Sequence, residues 1–187
     1  AADGVVAVKV AADNSYAVAV EVNSETDFAA REPNFVAFAN SVLEAAFTTK
    51  QTDVAALMAG DLEAAREALV QKIGENISVR RISLVEGGVV SGYLHLNSRI
   101  AVLVQLEGGN DDIGKDIAMH VAAVNPVVVS SDQMSPEVVE KEKEIIRAQP
   151  DMAGKPAEIV EKMIVGRISK FLKEASLVDQ AFVKNQE

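Results

Sequence analysis

The chain repeats itself, and the repeat limits what it can fold into. Gly4-Val-Val-Ala-Val-Lys-Val-Ala-Ala-Asp-Asn-Ser-Tyr-Ala-Val-Ala-Val-Glu-Val22 lies without a gap on Gly88-Val-Val-Ser-Gly-Tyr-Leu-His-Leu-Asn-Ser-Arg-Ile-Ala-Val-Leu-Val-Gln-Leu106. Gly4, Val5, Val6, Ala17, Val18 and Val20 meet identical residues, and Asp13 meets Asn97. Each copy is a pair of β-prone runs around a polar turn, Asp13-Asn14-Ser15 or Asn97-Ser98-Arg99. Asx and Ser side chains bond to nearby backbone and favour turns, so each copy predicts a β-hairpin.

Both hairpins lead into helical patterns. Phe35, Phe38, Ala39, Val42, Leu43 and Ala46 fall on one stripe of a helix over 34–47. Ile113, Ile117, Val121 and Val124 make the corresponding stripe in the second copy, which Pro126 stops. The first copy adds helical pieces over 52–58 and 62–73, with Gly74 placed as a C-terminal cap, and a strand-like run over 77–84. The expected fold is α+β: two repeat-related subdomains, each an antiparallel sheet with packed helices, over residues 1–86 and 87–187. In the second, Ser135-Pro136-Glu137 reads as a helix start with Ser135 as N-cap. Stripes of Val138, Val139, Ile145 and Ile146, then of Ile159, Val160, Met163, Ile164, Ile168, Phe171 and Leu172, predict an antiparallel helical hairpin at about 135–172. It is expected to project from the body.

Charge and cysteine content narrow the function. The net charge is −10, from 28 acidic and 18 basic residues, which disfavours direct nucleic-acid binding. There is no cysteine, so disulfides and thiolate metal sites are excluded. No apolar run is long enough to span a membrane, and the opening residues lack the pattern of a signal peptide. The chain does not begin with Met, as expected for a processed chain or a piece of a longer one.

Motifs for chemistry are sparse. Of the two histidines, His120 lies in an apolar helix and is expected in a core or interface. His95 sits at the turn end of a hairpin strand, where contact and structural roles are both open. Gly109-Asn-Asp-Asp-Ile-Gly114-Lys115 imitates a phosphate-binding loop, but Asp116 stands where a magnesium-binding Ser or Thr belongs. Asp111 and Asp112 would repel phosphate. Arg80-Arg81 is the only adjacent basic pair, with side chains expected on opposite faces of a strand. These readings imply no enzyme, no metal, no cofactor and no small-molecule ligand.

One aromatic is out of place. In Glu21-Val-Asn-Ser-Glu-Thr-Asp-Phe28, Phe28 stands on a polar turn after a strand. It is either folded into the core or presented to a partner. At the equivalent positions the second copy has Asp111 and Asp112 for Asp27 and Phe28, so the shared fold does not require the ring.

That segment resembles the hallmark of the bacterial elongation factor Ts family, in a proteobacterial form. So do Lys72-Ile-Gly-Glu-Asn-Ile77 with Arg80-Arg81, Tyr93-Leu-His95 with Arg99-Ile100, Asp116-Ile-Ala-Met-His-Val-Ala-Ala123, Gly154-Lys-Pro156 and Ala175-Ser-Leu-Val-Asp-Gln-Ala-Phe182. The likeness covers the chain in order, and corresponds to the family's core without its N-terminal helical module and short C-terminal segment. It implies a cytoplasmic guanine-nucleotide exchange factor for elongation factor Tu. In that family the residues matching Thr26, Asp27, Phe28 and Ala29 form the partner-binding segment that disturbs the magnesium site of Tu. Ala29 departs from the larger aliphatic residue often found there. Ile73 and His95 match secondary contact positions. The resemblance also allows another role: a scaffolding subunit bound to Tu, as in a viral RNA replicase, without exchange.

Overall fold

In the computed structural model, which describes residues 2–185, both copies of the repeat are hairpins. The first is β1 (Asp3–Val10) and β2 (Tyr16–Ser24), to which β3 (Ser78–Glu86) adds on the far side of β2, giving an antiparallel sheet in the order β1-β2-β3. The second is β4 (Val89–Leu94) and β5 (Ala101–Leu106). The glycine that opens each copy has the same task. A Cβ on Gly4, at φ +147°, would stand 2.1 Å from the Val22 carbonyl oxygen; one on Gly88, at φ +64°, would stand 2.3 Å from that of Leu106. Only glycine lets the first residue of each copy lie so close to the last.

The helices of the first part are α1 (Asp27–Arg31), α2 (Pro33–Thr49), α3 (Val54–Met58) and α4 (Asp61–Ile73), and α5 (Asp111–Val124) follows the second hairpin. The apolar stripe of α2 is buried as the periodicity predicts, from Phe35 through Ala46, against Val18, Val20 and Val22 of β2. Gly74, at φ +81°, closes α4 with its N–H on the Val70 carbonyl. Burial of Phe35 to this degree makes truncation to Ala worth about 3–5 kcal/mol of stability.

The hairpins hold each other by equivalent bonds. Val6 N–H donates to Ser98 O at 2.9 Å, and Val90 N–H donates to Asn14 O at 2.8 Å. Val6 matches Val90 and Asn14 matches Ser98 in the repeat, so this is the reciprocal pattern of a two-fold contact within one chain. Asn14 and Ser98, at φ 57° and 55°, share the same left-handed turn conformation. Val8 meets its own repeat mate: a Cβ on Gly92 would be 2.7 Å from Val8 Cγ1. One side of that contact must therefore be small.

Two expectations are corrected in this part. In α5 the buried residues are Gly114, Ala118 and His120, while Ile113 and Val124 are exposed. The small face turns inward because α5 lies directly on β4: a Cβ on Gly114 would be 2.1 Å from Ser91 Oγ. Arg80 and Arg81 do not point to opposite faces. The β2–β3 register shifts at Glu21/Val22, and the bulge turns both side chains toward Glu21, with Nε atoms 3.8 and 2.7 Å from its carboxylate.

By compactness the chain divides into residues 1–122 and 123–187. The repeat boundary near residue 86 follows duplicated sequence; the compact division follows packing, which gathers both hairpins into one unit. In the second unit α6 (Pro136–Arg147) and α7 (Ala157–Ala175) pack together through Ile146, Met152, Ile164 and Ile168. Of the stripe expected on α6, Val139 and Ile146 face α7, whereas Val138 and Ile145 are exposed. Ser135 occupies the N-cap position, but its hydroxyl donates to Glu137 Oε2 at 2.9 Å instead of capping the backbone. Between the helices Arg167 grips Gln149 and Asp151.

Asp111, the first residue of α5, ties both hairpins to that helix. Its Oδ1 accepts from Asn14 Nδ2 at 2.9 Å and Ser91 Oγ at 2.8 Å, and Lys115 pairs with Oδ2 at 3.0 Å. The Ser91 hydroxyl, then Lys115, hold this carboxyl below the usual aspartate range. A carboxyl depressed by folding stabilises the protein above its unfolded pKa, and that contribution is lost as pH falls through the lower folded value. Thermal melts should show Asp111→Asn less stable than wild type at neutral pH, with the two converging below the ordinary aspartate range. Gly114→Ala should destabilise by about 1–3 kcal/mol in urea unfolding. Gly166→Ala, in the open middle of α7 with nothing near its Cβ, should instead gain about 0.5–1 kcal/mol.

Candidate functional site

Thr26 starts a helix of only five residues. Its extended backbone (φ −126°, ψ 157°) and hydroxyl, which accepts from Ala29 N–H at 3.3 Å, make it the N-cap. Asp27 lies in the first turn, favourable at a helix N-terminus, and pairs with Arg31 at 3.4 Å. The chain therefore does not cross this corner as an open turn; it makes one capped helical turn with two faces. Ala29 and Ala30 face inward, at 5% and 6% exposure. Phe28 faces outward, at 80% exposure. The choice left open in the sequence is settled for the free chain: the ring is not in the core, and of the Thr26–Ala29 segment Ala29 is the one turned into the protein.

The corner is tied to a segment distant in sequence. Glu75 Oε1 accepts the N–H groups of Glu25 and Thr26 at 3.1 and 2.9 Å, and its Oε2 accepts the Thr26 hydroxyl at 2.7 Å. Glu25 Oε1 in turn accepts Asn76 N–H at 3.0 Å. The Thr26 hydroxyl is the largest influence holding the Glu75 carboxyl below the usual glutamate range. Ser24, itself buried, donates to Thr26 O at 2.8 Å. Through this clasp the end of α4, with Ile73 half-buried against the core, adjoins the Thr26 corner.

His95 lies in the turn between β4 and β5, at the same end of the first sheet. Arg99 in that turn pairs with Asp3 at 3.1 Å, and Asp3 is the strand partner of Ser24. The turn is closed by His95 N–H on Ile100 O at 3.0 Å and Ser98 N–H on His95 O at 2.8 Å. The His95 ring is exposed, with Nδ1 3.1 Å from the Tyr93 hydroxyl. Next to it Leu96 is 99% exposed. The sequence reading missed Leu96 and Glu75. An apolar residue inside a polar hairpin turn was the available signal for Leu96. Glu75 had none, because its partners lie about fifty positions away.

The remaining features do structural work. In the loop that imitates a phosphate site, the Asp111 carboxylate already takes Lys115, while Asn110 Oδ1 accepts Ile113 N–H at 3.0 Å. A shallow hollow of about 230 Å³ beside the His95 turn is lined by Asp3, Glu21, Arg81 and Arg99, whose charges pair with one another. Among the described residues no group of His, Asp and Glu could hold a metal ion, and no helix is long and apolar enough to cross a membrane.

Residues 25–187 match the family described as Elongation factor TS. The whole chain is 83% identical to Elongation factor Ts of Cellvibrio japonicus. It is 68% identical to that of Saccharophagus degradans and 66% identical to that of Marinobacter nauticus. It spans 64–65% of the length of these curated relatives. With its lysine already paired and carboxylates in the loop, the Gly109–Lys115 segment should give no saturable signal when GDP is titrated calorimetrically into the chain alone. Stoichiometric heat would overturn the assignment of that loop to packing.

Proposed function

The chain belongs to the elongation factor Ts family, and we propose that it is the core of a guanine-nucleotide exchange factor for elongation factor Tu in translation elongation. The observation that carries this is Phe28: a large aromatic held out into water on a capped helical turn whose other face is buried. Such a ring contributes little to its own fold and gains apolar burial, about 1.5–3 kcal/mol, when a partner encloses it.

In this reading Phe28 enters between helices of the nucleotide domain of Tu, with Asp27 beside it. The insertion displaces the elements that hold magnesium. Without the metal the diphosphate loses its main counter-charge, and GDP leaves. The factor binds nucleotide-free Tu more tightly than Tu·GDP, so by linkage GDP and the factor weaken each other's binding by the same factor. It needs no acid, base, metal or cofactor of its own, and it acts in the cytoplasm. Ile73 and His95 act in this reading as secondary contacts, joined by the exposed Leu96. The α6–α7 pair supplies a further contact surface.

The test is release of fluorescent GDP from Tu. The wild-type chain should accelerate it. Phe28→Ala should lose about 2 kcal/mol or more of binding, roughly thirtyfold in affinity. Absence of acceleration by the wild-type chain sinks the exchange reading, and leaves a scaffold that binds Tu without exchange. Equal acceleration by both chains sinks the role given to the ring.

A further inference from the structure

The short helix that presents Phe28 cannot hold its own conformation. Helices of this length are unstable in isolation, because nucleation outweighs the few bonds gained. Phe28 adds little packing of its own, and the buried inward face is two alanines. What fixes the corner is hydrogen bonding, and Glu75 accepts more of it than any other side chain there. Glu75 takes three donors from Glu25 and Thr26 on its two carboxylate oxygens. Bonds to an ionised acceptor are about twice as strong as neutral ones.

The Thr26 hydroxyl links this clasp to the helix. It has one proton, which goes to Glu75, leaving a lone pair for Ala29 N–H. Glu75 therefore orients the cap, and the cap sets the first turn that carries the ring. The reciprocal bond from Asn76 N–H to Glu25 closes the clasp from the other side.

From this geometry we infer that Glu75 is a positioning residue for Phe28, holding the Thr26 cap so that the ring is preorganised for a protein partner. The inference rests on the reading of Phe28 as the docking side chain. A side chain ordered before encounter spares the complex the entropy of ordering it later. Loss of Glu75 should thus appear as weaker action on the partner, and only while the ring is present.

Two measurements on Glu75→Ala and Glu75→Gln decide it. In the free chain, amide hydrogen exchange at Thr26, Ala29 and Ala30 should accelerate about tenfold in Glu75→Ala, with β2 amides unchanged. Glu75→Gln, which keeps an acceptor for the backbone donors, should restore part of the protection. Unchanged exchange at these amides overturns the inference. On Tu·GDP, at subsaturating chain, Glu75→Ala should slow GDP release about five- to tenfold, with no further loss when added to Phe28→Ala. An equal loss in both backgrounds means general destabilisation and also overturns it. If the wild-type chain leaves Tu·GDP unaffected, the exchange reading alone fails, and hydrogen exchange in the free chain still decides the role of Glu75.

Discussion

Two backbone hydrogen bonds, Val6 N–H to Ser98 O and Val90 N–H to Asn14 O, set the frame of residues 1–122. Each takes the turn of one hairpin and fastens it to the first strand of the other. The accepting carbonyls belong to the left-handed residue of each turn, Asn14 and Ser98. With the hairpins so joined, α2 covers the β2 face and α5 lies against β4 at Ser91. Asp111 then links Asn14, Ser91 and Lys115, so turn, strand and helix are fastened at one carboxylate.

The candidate site uses the same position of the repeat to the opposite end. Asp111 opens α5 and spends its carboxylate inside the chain; Asp27 opens α1 and keeps its own near the surface, paired with Arg31. After Asp111 comes a second acid, and after Asp27 comes the exposed ring. The first copy has a helix of one turn where the second has a long one, so its corner needs outside support. Glu75 provides it, from a segment that also brings Ile73 alongside.

Much of this could be read from the residues. The hairpins, the stripe of α2 and the cap at Gly74 follow from local pattern, because turn chemistry and helical period act over a few residues. The α5 stripe differs from the periodic pattern because apolar size is no sign of burial where a helix lies close to a strand. Close approach to Ser91 selects the small residues Gly114 and Ala118 instead. The bulge at Arg80 was invisible for a different reason: strand alternation is the default, and nothing in Arg80-Arg81 marks the extra residue. For the site, Phe28 stood out as an aromatic in a polar segment. The clasp that holds it did not, since pairing of corners distant in sequence is a product of topology.

Val8 and Gly92 hold the same place in the two copies and touch each other. Where a two-fold axis passes between identical subunits, each must present the same side chain to its mate, and bulk on one side is bulk on both. Joining the copies in one polypeptide removes that obligation. Here one half presents no side chain and the other fills the space. Asymmetry at the axis is thus a packing solution open to a covalently joined pair and closed to a dimer of one repeat.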